Sequence, residues 1–391
     1  LMLRNYYVWR DFTNRLPFVA GGAVELQRFF YGIGAQYSNS DALSGRLRLV
    51  TGFDLDRQDD DRLRFDNNNG TVGAMVFEQN EKVDSNGIFL QGQYALRDDW
   101  SFLAGLRYDQ VQFDVADYYL ADGNDSGTLE FDQWSPSLAL NHDIGPGVVF
   151  ASWSSSFETP TTTELANPDG SGGFNSSLMP QIADNYELGF KASQDSLFYE
   201  ISVFHINLED ELVPFEVPSS PGRTFYSNAG ASTRNGIEAA ISWRNRNGLS
   251  ADVSYTWSDF TFDEFVQDGE DFGGNQLPGL PEHFAYFGLS YAAHPGLSAT
   301  FETLYSGSLY TSNDNATTVG SYFVSNLRVG YEWLPGDWMI RPYVAVNNIF
   351  DEQYNSNIRV NALGGRFYEV APERNVFAGI VVDFGRAASD D

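Results

Sequence analysis

His142, His205, His283 and His294 are the chain's four histidines, and none stands in a zinc-type spacing such as His-Glu-x-x-His. His205 and Glu209 lie four apart, which in a strand only puts them on one face, and His294 falls in a turn. No Gly-x-Ser-x-Gly elbow occurs to raise a nucleophilic serine. Gly170-Ser171-Gly172-Gly173 has no helix behind it to complete a phosphate cradle. Cysteine is absent, which removes disulfides and thiolate metal sites. Asp54-x-Asp56 opens like a calcium loop but lacks the turn glycine and the closing glutamate. No catalytic residue, metal ligand or cofactor is assigned, and the chain does not read as an enzyme.

The elements that carry these residues follow a rhythm of connections. Short turns fall at Arg97-Asp98-Asp99, Asp143 to Gly147, Gln194-Asp195-Ser196, Asn245 to Gly248, His294-Pro295-Gly296 and Pro335-Gly336-Asp337. Between them lie long polar segments, 57–81, 117–127, 157–183, 213–231, 263–279, 306–320 and 349–372. A barrel crossing an outer membrane sorts its connections in this way, short on one side and long on the other. The intervening stretches alternate. In 100–109, Trp100, Phe102, Ala104, Leu106 and Tyr108 share a face against Ser101, Gly105, Arg107 and Asp109. In 323–333, Phe323, Leu327, Val329, Tyr331 and Trp333 oppose Asn326, Arg328, Gly330 and Glu332. The expected fold is all-β, a transmembrane antiparallel β-barrel with about sixteen strands, the first near 1–10 and the last near 373–384. Trp100, Trp243, Trp333, Trp338 and Tyr199 gather beside the short turns, as an interfacial girdle requires. Pro342 removes a ladder donor within a strand and is expected to mark a bulge.

Composition agrees. Aromatics make up 15% of 391 residues, mean hydropathy is −0.32, and no apolar stretch approaches the roughly 18–20 residues of a spanning helix. The formal charge of −30 excludes nucleic acid, which needs a basic face. Acidic runs at Asp54, Asp56, Asp59, Asp60 and Asp61, and at Asp263, Glu264, Asp268, Glu270 and Asp271, read as solvated loop surface. A divalent-cation role, bridging lipopolysaccharide or holding a loop, is the alternative. The chain opens at Leu1 in strand-like sequence, as expected of a piece of a longer precursor or a product cut from one.

Five segments in order resemble the TonB-dependent outer-membrane receptors. They are Gly105-Leu106-Arg107-Tyr108-Asp109; Ser156-Phe157-Glu158-Thr159-Pro160 with Glu164-Leu165; Asn185 to Lys191; Asn228-Ala229-Gly230 with Gly236-Ile237-Glu238; and Asn347-Asn348-Ile349-Phe350-Asp351-Glu352-Gln353-Tyr354, followed by Gly364-Gly365-Arg366 and Pro372-Glu373-Arg374. The resemblance implies that residues 1–384 are the C-terminal part of a probable 22-stranded barrel, with 385–391 a disordered tail. It implies a location in the bacterial outer membrane, in contact with lipid and lipopolysaccharide. It also implies import of a scarce nutrient, foremost a ferric siderophore, with energy from TonB acting through a plug domain absent from this chain. A passive porin-like diffusion channel is the competing reading, because about sixteen strands around a polar lumen also suit a pore.

Ligand contacts should come from the long loops, where function sits on a rigid scaffold. Ferric siderophores are often anionic, and a guanidinium pairs carboxylates and stacks on rings. The candidates are Arg223, Phe225 and Tyr226 in one loop, Tyr310 at the edge of another, and Arg359, Arg366 and Tyr368 in the last. The 170–173 glycine run is expected to supply turns, with closure over a ligand the alternative. Asn347, Asn348 and Asp351 are expected to tie off a strand end, and Arg107 and Glu238 to form ion pairs on the lumen wall.

Overall fold

The computed structural model describes residues 1–384 apart from 18, 122, 168–174, 219–223 and 268. The expected tail 385–391, the 170–173 run, Arg223 and Asp268 lie outside the described residues. Nine long strands come first: β1 (Met2–Arg15), β2 (Ala23–Ala42), β3 (Leu47–Asn68), β4 (Thr71–Arg97), β5 (Trp100–Asp117), β6 (Gly127–Asp143), β7 (Gly147–Glu158), β8 (Gln181–Gln194) and β9 (Leu197–Glu209). Seven more follow, each group introduced by a small hairpin. β10 (Leu212–Glu216) and β11 (Thr224–Asn228) precede β12 (Ala231–Arg244) and β13 (Leu249–Glu264). β14 (Val266–Gln267) and β15 (Glu270–Asp271) precede β16 (His283–Ala292) and β17 (Gly296–Ser306). β18 (Leu309–Tyr310) and β19 (Thr318–Val319) precede β20 (Tyr322–Glu332) and β21 (Trp338–Asn347), and β22 (Asn355–Ile358) and β23 (Tyr368–Val370) precede β24 (Asn375–Phe384). The sixteen long strands pair antiparallel in chain order and form one wall, with the hairpins as separate two-stranded ribbons.

Period-two alternation gives the wall two unlike faces. Leu188 pairs with Val203 and Phe190 with Ile201 across β8 and β9; Leu188, Ile201 and Val203 are 55%, 49% and 44% exposed. Ile241, Val253, Leu289 and Val344 continue this apolar outer face around the sheet. Its height is legible on β3, where the outward residues run Leu47, Leu49, Thr51, Phe53 and Leu55, then change to Arg57, Asp59 and Asp61. Nine residues at a tilted strand's rise span about 23 Å, the thickness of an outer-membrane apolar band. Cross-strand aromatic pairs bound the belt. Beside the short turns, Trp100 stacks on His142 at 4.2 Å, Tyr199 meets Phe190 at 5.7 Å and Trp338 meets Phe384 at 4.6 Å. A second rim lies at the far edge: Tyr108 with Trp134, Tyr186 with His205, Tyr255 with His283 and Tyr305 with Phe323. His205 also bonds Asn235. Only the first rim was expected from the sequence.

The inner face is polar and paired. Arg107 holds Asp109 at 2.6 Å and Asp54 at 3.3 Å, and Arg4 reaches the same Asp54 at 2.9 Å. Asp60, fully buried, takes a two-pronged Arg28 contact at 2.8 and 2.5 Å, and Glu81 pairs with Arg62 at 2.7 Å. Several of these contacts leap a strand. Gly34 lies in register between Arg4 and Asp54, Gly87 between Asp54 and Asp109, and Gly32 between Tyr6 and Asp56, whose side chains are hydrogen bonded. A Cβ at Gly32 would overlap the Asp56 carboxylate, and one at Gly87 the Arg107 guanidinium. Here glycine is required for the space it leaves above the backbone.

Two expectations are corrected. Segment 57–81 is not a long loop but the upper part of the β3–β4 ribbon, closed by Asn69 and Gly70 at φ 54° and 93°. That is an Asn-Gly hairpin turn. The segment is polar because the ribbon rises above the apolar belt, where Arg57 pairs with Asp84 and Asn80 bonds both Asp59 and Asp61. Asp54 and Asp56 accordingly sit in a strand. At Pro342 there is no bulge, and the β21–β24 register runs straight through the Pro342–Ile380 pair. The missing N–H instead interrupts the β20–β21 ladder between the Gly330–Tyr343 pair and an isolated Trp333–Ile340 bridge.

Leu188→Arg, at mid-belt, is expected to lower stability in phospholipid vesicles by about 2–4 kcal/mol. Glu187→Gln on the inner face should cost less than about 1 kcal/mol. Denaturant titration of both variants checks the assignment, and equal losses would reverse the two faces.

Candidate functional site

At one end of the wall the connections are two to five residues long; at the other, apart from the Asn69-Gly70 turn, they are longer and most of them fold. Most of the buried apolar side chains lie at this folded end. Phe113 and Phe131, at the tops of β5 and β6, enclose Leu165 and Leu178 from the 159–180 connection, with Tyr226 against them. Val213 and Ala229 from the 210–230 connection pack on Phe262, Phe265 and Leu277. The loops thus have a small core of their own, which a chain of polar solvated segments would lack.

Asparagine side chains complete the assembly, because loop backbone has no ladder to satisfy it. The Asn228 amide bonds both N–H and C=O of Met179, at 2.9 Å each. Asn315 does the same to Gln276, at 2.8 Å each way, and Asn275 donates to the Asn313 carbonyl at 2.8 Å. Asn361 is the hub. Its Nδ2 donates to the Pro214 carbonyl at 2.9 Å and to Asn313 Oδ1 at 3.1 Å, its Oδ1 accepts from the Asn313 amide, and its own amide donates to Thr311. Asn361 and Asn315 adopt φ 57° and 52°, a conformation that Asn tolerates better than most residues. These bonds join segments 210–230, 348–374, 307–321 and 265–282 in series, and the packing of Val213 and Ala229 on Phe265 and Leu277 closes the circuit.

Among the described residues, the circuit holds a charged knot at Glu216. Glu216, on β10, has a side chain only 3% exposed. Arg359 donates to Oε1 at 2.9 Å and Arg366 to Oε2 at 2.8 Å. The Leu363 amide approaches Oε2 at 3.4 Å. Arg366 also donates to the Leu363 carbonyl and remains 49% exposed. Elsewhere in the loops, burial first and the Glu164 carboxylate second push the Tyr226 phenol up, which keeps it neutral. The Ser312 hydroxyl and then the Ala316 amide hold Asp314 below the usual carboxylate range. That turn therefore keeps its ionised cap as pH falls, and loses it only below ordinary aspartate titration.

Of the residues expected to touch ligand, Arg359 and Arg366 are brought together, and Tyr368 stands 47% exposed on the same connection, edge-on to Phe367. Phe225 is 1% exposed and packs beside Phe215 at 6.3 Å; it anchors the hairpin and does not face solvent. Tyr226 is half-buried in the loop core. Tyr310 is also half-buried, and its carbonyl accepts from Gly279. Arg223 lies outside the described residues. Asn348 clasps Glu352 N–H and C=O at 2.8 Å, Asn347 bonds Asn375, and Asp351 accepts from the Arg374 amide, so these residues do close a strand end. Glu216, Asn315 and Asn361 were not singled out from the sequence, and Asn228 only as part of a family segment. The available signal was the recurrence of Asn in every long connection.

Three comparisons bear on what this arrangement belongs to. The family described as "TonB dependent receptor-like, beta-barrel" matches residues 2–349. The "Ferrioxamine receptor" of Yersinia enterocolitica is 24% identical over 291 residues, 73% of this chain and 38% of the receptor. The "Probable TonB-dependent siderophore receptor PiuA" of Acinetobacter baumannii is 20% identical over 382 residues, 88% of this chain and 49% of that protein. Its crystal structure superposes with a TM-score of 0.74 at 16% identity, covering 96% of this chain and 58% of that one. The unliganded ferric citrate transporter FecA gives a TM-score of 0.76 at 15% identity, covering 97% and 58%. The chain spans between 38% and 58% of the length of these proteins.

Asn361→Ala removes the ties to Pro214 and Asn313 and is expected to destabilise the 348–374 connection by about 1–3 kcal/mol, the cost of stranding buried partners. Limited proteolysis should then cut that connection faster while the wall remains intact.

Proposed function

The chain belongs to the TonB-dependent receptor β-barrel family, and we propose that it supplies the wall and outer loops of an outer-membrane receptor that captures a ferric siderophore or similar scarce chelate. On this reading residues 1–384 are barrel. The apolar belt faces lipid, the upper rim faces lipopolysaccharide, and the folded loops face outward. TonB would supply energy through a plug carried elsewhere in the whole receptor. Transport is then binding followed by conformational change, with no bond made or broken.

The observation that carries the proposal is the two-arginine knot within a preassembled loop circuit. A formal charge of −30 repels anions at long range. At physiological salt, however, that field is screened within about 8 Å, so the local sign decides capture. Arg359, Arg366 and the exposed Tyr368 offer charge-assisted donors and a ring, the combination that recognises an anionic chelate. The names of the relatives, receptors for ferrioxamine and for siderophores, support the substrate class. A passive channel has no need of loops knitted over its mouth, and none of the named relatives is a diffusion channel.

The test uses the whole receptor in cells, with uptake of radioactive iron chelates. Uptake should stop when the inner-membrane gradient is collapsed; uptake that continues would favour diffusion. Arg359→Ala with Arg366→Ala should lower uptake of an anionic chelate at least about tenfold, from the loss of charge-assisted hydrogen bonds. Barrel abundance should not change.

A further inference from the structure

We infer that the β4–β5 turn holds a headgroup site for a zwitterionic glycerophospholipid of the inner leaflet, with Arg97 on its phosphate and Asp98 and Asp99 on its ammonium. This rests on the reading of the apolar belt as lipid-facing and the folded loops as outward. The short turns then lie at the headgroup level of the inner leaflet.

The backbone builds the site. Across β4 and β5, Tyr94 pairs with Phe102 on the lipid side and Ala95 with Ser101 on the bore side. Simple alternation would set Leu96 opposite Trp100 and turn Arg97 toward the bore. The register instead shifts between Ala95 and Arg97, so Arg97 itself pairs with Trp100. Leu96 is the extra residue of a bulge, and bulges at barrel rims re-aim a side chain. One inserted residue thus moves a guanidinium from the bore to the lipid side.

The niche it enters is amphipathic. Leu96, Arg97, Trp100 and Leu140 line one cavity of about 570 Å³. Leu96 and Leu140 are 47% and 37% exposed, and the Trp100 ring is held nearly parallel to His142 at 4.2 Å. Acyl chains therefore have apolar walls beside a charged mouth. At that mouth Arg97 is exposed and has no ion pair among the described residues. A free guanidinium beside a girdle tryptophan offers a two-pronged phosphate contact.

Charge balance selects the headgroup. The nearby cations are Arg97 and Arg46, whose carbonyl accepts from the Ala95 amide. The anions are Asp98, Asp99 and Asp143, whose amide donates to the Asp99 carbonyl. His142 also approaches the Asp99 carboxylate at 3.7 Å. A net-anionic headgroup would bring surplus negative charge against these carboxylates. A phosphate followed by an ammonium meets opposite charge at both ends. A primary ammonium suits the site better than a trimethylammonium, because it has N–H groups to donate to a carboxylate.

The experiment titrates the delipidated whole receptor in detergent with dioleoyl phosphatidylethanolamine, phosphatidylglycerol and phosphatidylcholine, and counts bound lipid by native mass spectrometry. The unaltered receptor should bind the ethanolamine lipid at least about fivefold tighter than the other two. Arg97→Gln should weaken that binding about tenfold, the loss of one charge-assisted contact. Asp98→Asn with Asp99→Asn should erase the preference among the three headgroups, and Arg246→Gln, on the β12–β13 turn, should change nothing. Circular dichroism checks that each variant folds; should Arg97→Gln not fold, the double aspartate variant carries the test. Equal binding of the three lipids by the unaltered receptor, undiminished binding by folded Arg97→Gln, or an unchanged preference in the double variant overturns the site and leaves the belt reading intact. Failure of the unaltered receptor to insert into vesicles of these lipids removes the belt reading and the site with it.

Discussion

One face of every wall strand is withheld from water. With outward positions given to Leu, Ile, Val and aromatic rings over a band near 23 Å, charge is confined to the inner face or to the ends. Charges confined to an inner wall need counter-charges, and those must come from across the sheet. Asp54 is shared by Arg4 and Arg107, and Asp60 and Glu81, opposite each other in register, each have their own arginine. Like charges facing each other would otherwise repel. The interior chemistry thus follows from what the exterior cannot carry.

The same restriction explains why the loops are ordered. Wall strands bury little, since one face meets the apolar surroundings and the other a polar bore. The tightly packed apolar groups therefore collect where the chain leaves the wall, around Leu165 and Leu178 and around Phe262 and Phe265. Polar loop composition is compatible with this order because asparagine offers a donor and an acceptor on one short side chain. Asn228, Asn315 and Asn361 use both.

Much of the wall was legible in the sequence, because a period of two survives in single strands such as 100–109 and 323–333 and because turn residues mark the short end. Legibility failed where polarity was taken for irregularity. The 57–81 segment is charged on both faces, which reads as loop until Asn69-Gly70 is recognised as a hairpin turn. The second aromatic rim was missed because its pairs, such as Tyr186 with His205, form only once register is known. At the loop end the arginines could be named from chemistry alone. Their partner Glu216 could not, since contact across some 150 residues leaves no periodic trace, and nothing in a short stretch distinguishes a buried anchor such as Phe225 from a solvent-facing ring.

The glycines at 32, 34 and 87 have a mechanical effect. A side chain that steps over its neighbour welds staves that share no hydrogen bond, so Arg4 near the start of the chain and Arg107 on the fifth strand grip a common carboxylate. Each ladder fixes the register of adjacent ribbons only. Cross-ties of this kind fix the register of next-nearest ribbons as well, and brace the first five strands as a panel.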